Sequence, residues 1–144
     1  MGTQPQRCHV AHYEVSGGTC HVTWRLQRDQ SPLAPEERTI VLNILKRAPE
    51  FGATWHAAVV MDDHVHALFA PGQSRPSGKF VNSWKGASGR LGSVHSGRPS
   101  PIWQAEYYQR WLASPALIPI CAEYIRNNPR RKWPGIEKYA WMLP

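Results

Sequence analysis

The sequence predicts an α+β fold in which helices pack on one face of an antiparallel sheet. Three observations lead to this prediction: segments that alternate apolar and polar residues, segments that repeat apolar residues at helical spacing, and the mixed order in which the two kinds follow one another. With 144 residues, 42% of them hydrophobic, the chain is expected to form one domain over 1–144. Its core is expected over about 18–129, followed by a basic tail over 130–144.

The first half of the chain contains three predicted strands and one helix. An acidic first turn and a proline after the last apolar position delimit the helix. The short bend Asp62-Asp63 separates two strand-like segments, which are expected to form an antiparallel hairpin. The predicted elements are a strand over 20–26, a helix over about 35–48 and strands over 54–61 and 64–70.

The second half is predicted to add a helix, a strand and one further helix. The first helix is rich in glycine and is expected to end where a flexible, basic loop begins at Gly92. The predicted elements are helices over 80–91 and 117–127 and a strand over 102–112, with Pro129 closing the last helix and little regular structure after it. The order βαββαβ is that of a ferredoxin-like sheet, whose crossover helices share one face. The additional helix is then available to cover the other face.

The charge of the chain favours a polyanionic partner. Lys and Arg total 17 against 10 Asp and Glu, which gives a net charge of +7. Nucleic acid is the usual partner of so basic a domain, although a solubilising surface charge is the alternative. The loop residue Arg98 and a larger group of basic residues interleaved with aromatic ones are candidates for contacting DNA. That group is Arg25, Lys79, Lys85, Arg90, Arg110, Arg130, Arg131 and Lys132.

His64-Val65-His66 is the most specific local motif. Residues i and i+2 of a strand point to the same side, so both imidazoles face one way. Two adjacent imidazoles are ready ligands for a divalent metal ion. Two hydrogen-bonded histidines without a metal would show the same pattern.

Tyr124 and Asn128 are the candidate partners of this histidine pair. They are four residues apart on the predicted last helix and so share one helical face. If that face covers the sheet, a phenol nucleophile and an amide oxygen lie beside the histidines. Tyr107 and Tyr108 are rival nucleophiles, and strand alternation places one of them in the core.

Five segments, in order, resemble the single-tyrosine HUH transposases, and the last has the form found in the branch associated with REP sequences. They are Cys20-His21-Val22-Thr23-Trp24-Arg25, Val60-Met61-Asp62-Asp63-His64-Val65-His66-Ala67-Leu68, Ser83-Trp84-Lys85-Gly86-Ala87-Ser88, Ile102-Trp103-Gln104-Ala105-Glu106-Tyr107-Tyr108-Gln109-Arg110 and Tyr124-Ile125-Arg126-Asn127-Asn128-Pro129. The resemblance spans about residues 8–141. Two positions depart from it: Asp62 stands where proline is usual, and Arg130 where a small apolar residue is common.

The resemblance implies a metal-dependent nuclease that nicks and rejoins single-stranded or hairpin DNA of repeat elements. It implies His64, His66 and Asn128 as ligands of Mg²⁺ or Mn²⁺, and Tyr124 as the nucleophile that forms a 5′-phosphotyrosine. A domesticated or inactive protein that binds single-stranded nucleic acid on the same fold is the alternative. Both a monomer and a homodimer are compatible with this reading.

Other functions fit the sequence less well. Zinc-binding by Cys8, His9, His12, Cys20 or His21 matches no compact ligand spacing, and no CxxC motif is present. Replication and mobilisation nucleases that use HUH chemistry are generally larger. The sequence contains neither an apolar run of roughly 20 residues nor an apolar leader, so we expect a bacterial cytoplasmic protein associated with the nucleoid.

Overall fold

The computed structural model describes residues 13–144, which form a five-stranded antiparallel sheet and several helices. The strands are β1 (Cys20–Arg25), β2 (Thr54–Val60), β3 (His64–Ala70), β4 (Tyr108–Trp111) and β5 (Met142–Leu143). The helices are α1 (Pro35–Leu45), α2 (Ser77–Ser96), α3 (Leu117–Arg126) and α4 (Asn128–Lys132), with a 3₁₀ turn over Ala48–Phe51. The strands lie in the order β4-β1-β3-β2-β5. The predicted α+β class and ferredoxin-like core are confirmed.

One face of the sheet packs against α1 and α2. Side chains alternate between the two faces of each strand, so the even-numbered residues of β1, such as Trp24, point to this side. The odd-numbered residues of β3, such as Phe69, do so as well. Trp84 of α2 stacks between Trp24 and Trp55, with ring centroids 5.9 and 5.3 Å away. These aromatic rings form the centre of the larger hydrophobic core.

The other face is covered only in part. Cys121, Ala122 and Ile125 of α3 pack on the residues of β2 and β3 that point to this side. Because α3 lies over those two strands, the same face of β1 and β4 stays open beside it. A groove of about 1050 Å³ runs between that open surface and α3.

The structure differs from the predictions for α2 and β4. The helix α2 continues to Ser96 because Gly92 allows a close approach: a Cβ at Gly92 would lie 2.6 Å from Cδ1 of Ile102.

The strand β4 is shorter than predicted and is limited to Tyr108–Trp111. The Nζ of Lys85 binds the carbonyl oxygens of the preceding residues Gln104 and Ala105, at 2.8 and 3.1 Å, in a stretch that makes only one isolated bridge.

Most of residues 130–144 have little regular structure, as predicted, but the prediction misses two short elements, α4 and β5. Pro129 lies in the first turn of α4, where a missing N–H costs no hydrogen bond, so it starts a helix after α3 has ended at Arg126. Further on, β5 pairs with the edge of β2. The Tyr139 hydroxyl also donates to the carbonyl of Val60 at 2.6 Å. None of the helices within residues 13–144 combines the length and apolarity that spanning a membrane requires.

Candidate active site

His64 and His66 lie side by side on β3, on the face that carries α3. Strand pairing places Arg25 opposite His64 and Thr23 opposite His66. Both imidazoles are buried, and their ring centroids are 4.9 Å apart. The two-residue period of β3 therefore produces the paired arrangement that the motif predicts.

The Nδ1 atom of each imidazole is occupied. His64 Nδ1 donates to Oδ1 of Asp63 at 2.7 Å, because a carboxylate can only accept. His66 Nδ1 lies 2.9 Å from Nε2 of His21 and 2.9 Å from Oγ1 of Thr23. Because these contacts involve Nδ1 of both rings, Nε2 is the nitrogen of each ring that could bind a metal ion.

Burial keeps these histidines neutral. It lowers the pKa of His66 to about 2, and the nearby His21, His64 and Arg25 add to the effect. Burial also lowers the pKa of His64, although the hydrogen bond to Asp63 opposes this. Neutral imidazoles offer a lone pair at neutral pH, which is the form that binds a metal ion.

The Asn128 side chain reaches the same place from α4. It lies near enough to His64 to influence the pKa of that imidazole, and its Nδ2 donates to the Tyr124 carbonyl at 3.3 Å. Since Asp63 occupies Nδ1 of His64, Nε2 is the ring nitrogen that remains available to another ligand. Two imidazoles and one amide side chain thus lie together, and imidazole nitrogens and amide oxygens are groups that can bind a divalent metal ion.

Tyr124 stands beside this cluster in the same chain. Its ring is 5.9 Å from that of His66, edge to face, and half of the residue is exposed. Arg131 of α4 lies over the Tyr124 ring at 4.2 Å and donates to the Tyr124 carbonyl at 2.7 Å. The phenol is therefore oriented by α4 yet open to the groove.

The groove brings together some of the predicted DNA contacts. Arg25 and Arg110 line it, as do Tyr108 and the exposed apolar residues Leu117 and Ile120 of α3. Arg110 also influences His21, whose pKa burial lowers to about 4 with help from this guanidinium. Cationic, aromatic and apolar side chains thus line one groove, a combination that suits single-stranded nucleic acid.

The other predicted contacts lie elsewhere. Lys79, Lys85 and Arg90 belong to α2, on the opposite face of the sheet, and Lys85 is engaged with backbone carbonyls. Arg130 is exposed on α4, whereas Lys132 pairs with Asp62 and Asp63. The prediction that Arg98 supports DNA binding does not fit the structure.

Arg98 is committed to an internal ion pair instead. It forms a buried, bidentate pair with Glu37 and donates to the carbonyls of Ser31 and Pro32. Its guanidinium therefore binds groups of the protein itself, and it connects the loop after α2 to the start of α1.

The rival tyrosines are separated as alternation predicts. Tyr107 is buried in the larger core, and Tyr108 faces His21 with ring centroids 6.2 Å apart. Of the zinc candidates, Cys8, His9 and His12 lie outside the described residues. Over residues 13–144, no group of three or more His, Cys, Asp or Glu side chains is placed to hold a metal ion.

Sequence reasoning missed the residues that support the histidines. Thr23 shares the alternating face of His21 and Arg25, but its contact with His66 depends on the register of β1 against β3. Asp63 appears in the sequence only as part of an acidic bend. The stacking of Arg131 on Tyr124 follows from α4, an element the sequence did not predict.

Comparison with known proteins identifies the family. The profile described as "Transposase IS200 like" matches residues 14–128. A search of curated proteins found no match.

Two solved structures share the fold. A REP-associated tyrosine transposase bound to a REP hairpin has a TM-score of 0.69 and 20% identity, over 87% of this chain and 74% of that one. A candidate transposase from Deinococcus radiodurans R1 has a TM-score of 0.53 and 24% identity, over 81% and 92%. At these identities the structures show the fold, and the profile, which covers most of the chain, shows the family. The chain belongs to the IS200-like transposases.

Proposed function

We propose that this chain is a metal-dependent endonuclease and strand transferase that acts on single-stranded or hairpin DNA through Tyr124. The observation that carries the proposal is the convergence, in one chain, of the Tyr124 ring, the His64–His66 pair and the Asn128 side chain. A nucleophile beside neutral metal ligands is the arrangement that phosphoryl chemistry of this kind needs.

His64, His66 and Asn128 are the residues that would hold Mg²⁺ or Mn²⁺. When bound there, the ion supplies Lewis acidity toward a phosphate oxygen and neutralises charge as it develops. Asp63 accepts from the Nδ1 hydrogen of His64, and His21 Nε2 and Thr23 Oγ1 both lie 2.9 Å from Nδ1 of His66. With the hydrogen on Nδ1 in both rings, the Nε2 lone pairs would be the ones that bind the ion.

Tyr124 provides the nucleophile. Its hydroxyl oxygen attacks phosphorus, and the bond from phosphorus to the 3′ oxygen breaks, which leaves a 3′-hydroxyl and a 5′-phosphotyrosine. The phosphodiester energy is retained in this link, so another 3′-hydroxyl can reverse the step and join a new strand. Arg131, stacked on the phenol, limits the orientations of the ring before attack.

The groove is the proposed path of the DNA strand. Arg25 and Arg110 are placed to neutralise phosphates, and Tyr108 offers a ring for base stacking. Because the REP-associated relative was solved with a hairpin, we propose a hairpin with a single-stranded flank as the substrate. The basic residues of α2 and Arg130 are proposed to contact only DNA that extends beyond this groove.

Tyr124→Phe tests the proposal. With a 3′-labelled hairpin oligonucleotide and Mn²⁺, the wild type should give a labelled covalent adduct on a denaturing gel, because the 5′-phosphotyrosine link retains the 3′ fragment. The variant should give none, because it lacks the attacking oxygen while it keeps the ring that contacts His66 and Arg131. Tyr108→Phe is the matched control, since Tyr108 lines the same groove without approaching the histidine pair as closely, and it should still form the adduct.

Equal adduct formation by wild type and Tyr124→Phe would reject the assignment of the nucleophile. Binding of the hairpin with no adduct from the wild type, with either metal, would favour the alternative function, a non-cleaving protein that binds single-stranded nucleic acid.

A further inference from the structure

Four polar side chains join α4 to the β2–β3 hairpin in a closed circuit. Asn128 and Lys132 are one helical turn apart on α4 and so lie on the same side of it. Lys132 Nζ is 3.4 Å from Oδ2 of Asp63, whose other oxygen accepts from His64 Nδ1 at 2.7 Å. His64 in turn lies near Asn128, which influences its pKa. The circuit therefore starts and ends on α4 and passes through both hairpin residues.

Asp62 adds a second carboxylate to this circuit. Its Oδ1 accepts a hydrogen bond from Lys132 Nζ, and only 14% of its side chain is exposed. Asp62 is also one of the two positions that depart from the resembled motif, where proline is usual. The departure gives Lys132 a partly buried partner that a proline side chain has no oxygen to provide.

The attachment of α3 is of a different kind. Cys121, Ala122 and Ile125 hold α3 on the sheet through apolar packing. Loss of the Lys132 ion pairs therefore leaves α3 and Tyr124 seated, whereas α4 loses its charged contact with the hairpin. Its other polar link to that hairpin in the circuit is Asn128 itself.

We propose that Lys132, through Asp62 and Asp63, is a positioning residue that holds Asn128 and His64 together as a ligand pair for a divalent cation. This inference rests on the proposed metal-dependent function. The Asp63 carboxylate, bound to Nδ1 of His64, fixes the orientation of that ring. Lys132 in turn fixes the carboxylate relative to α4, the helix that carries Asn128.

Mn²⁺ binding to the DNA-free chain, measured by isothermal titration calorimetry, tests the proposal without relying on catalysis. Lys132→Met should weaken Mn²⁺ binding by about tenfold or more, the range found for outer partners of metal ligands. Lys132→Arg should bind nearly as the wild type does. Simple electrostatics predicts the reverse for Lys132→Met, because removal of a positive charge attracts a cation more strongly.

Lys138→Met is the matched control, since Lys138 is an exposed lysine of the segment after α4 and its loss changes the charge equally. It should leave Mn²⁺ affinity unchanged. Thermal unfolding of each variant shows whether it is folded, and a partly exposed ion pair should shift the midpoint only slightly. If Lys132→Met does not fold, Lys132→Gln, which retains a polar group, takes its place with the same expectation.

Unchanged or tighter Mn²⁺ binding by folded Lys132→Met would overturn the positioning role and leave the proposed function standing. An equal loss in Lys138→Met would overturn it as well, because the effect would then be one of net charge. A wild type that binds no Mn²⁺ and forms no adduct would overturn the proposed function, and this inference with it.

Discussion

His64 and His66 are held by chemically different partners. His64 donates to an ionised carboxylate, whereas His66 meets the neutral groups of Thr23 and His21. A carboxylate partner makes the His64 imidazole a more basic ligand, whereas burial keeps the His66 ring uncharged. With the pKa of His66 lowered to about 2, protons do not compete with a cation for this ring at neutral pH.

The Glu37–Arg98 pair should make stability depend on pH in the acidic range. The hydrogen bond from Arg98 lowers the pKa of Glu37 from 4.5 to about 2, so folding favours the ionised carboxylate. This contribution is complete above about pH 4.5 and is lost as the pH falls toward 2. Glu37→Gln should cost about 3 kcal/mol of unfolding free energy at pH 7, and much less at pH 2.

Urea unfolding at several pH values measures this difference. Glu50→Gln is the control, because Glu50 forms only an exposed pair with Arg47 and its loss should change stability little at any pH. A Glu37→Gln penalty that stayed constant from pH 7 to pH 2 would contradict the assigned cause.

At the residue scale, the sequence predicts the histidine pair but not its supports. The pair follows from the two-residue period of one strand, which local alternation reveals. The contact of Thr23 with His66 needs the register between β1 and β3, and that register is set by the packing of whole strands. The contact between Lys132 and Asp62 depends on the position of α4, because the two residues are 70 positions apart in the chain.

Among the elements, α2 begins in an unusual way. Its N-cap position is Pro76, and the side-chain acceptor for its first turn comes from Glu14, before β1. Glu14 Oε1 accepts from the backbone N–H of Ser77 at 3.0 Å and from the Ser77 hydroxyl. Ser77 is fully buried and also accepts from Gln109 at 2.7 Å, so this network ties α2 to β4.

Glu14→Ala should destabilise the chain by about 1 kcal/mol, the usual cost of a lost helix cap, because the N–H of Ser77 then lacks its acceptor. Hydrogen exchange should speed up first at the amide groups of the first turn of α2. Glu14→Gln keeps an acceptor oxygen and should lose less. Unchanged exchange in Glu14→Ala would show that this carboxylate does not cap the helix.

The boundaries of elements were predictable only where local signals decide them. Alternation and helical spacing locate β1, β2, β3 and α1 closely, because each buries one face against the same core. The end of α2 depends on how Gly92 meets Ile102, and the course of residues 102–107 on Lys85, both of which are contacts between distant segments. The strand β5 has two residues and exists only because β2 offers it an edge.

For the whole molecule, the arrangement predicts that each chain uses its own tyrosine. Tyr124 lies beside His66 of the same chain, and α3 is packed on its own sheet. Tyr124→Phe and His64→Ala should each lack adduct formation, and an equimolar mixture should lack it too. Adding wild type to each variant checks that neither variant sequesters the DNA.

Recovery of adduct in the mixture would mean that the tyrosine of one chain serves the histidines of another. Sedimentation of the same samples would then reveal the dimer that such sharing requires. A mixture that stays inactive agrees with a site that is complete within one chain, provided that wild type added to each variant still forms the adduct.

The covering of β2 by the C-terminal residues has a consequence for self-association. An uncovered strand edge is a template for pairing with another molecule. Here Leu143 and Met142 pair with Ala58 and Val59, and the guanidinium of Arg126 donates to the carbonyl of His56 at 3.1 Å, next to the bulge of β2. A second copy could therefore not pair directly with this stretch of β2, and at the opposite edge of the sheet it would meet β4, beside the groove, where its arrival would alter access for DNA.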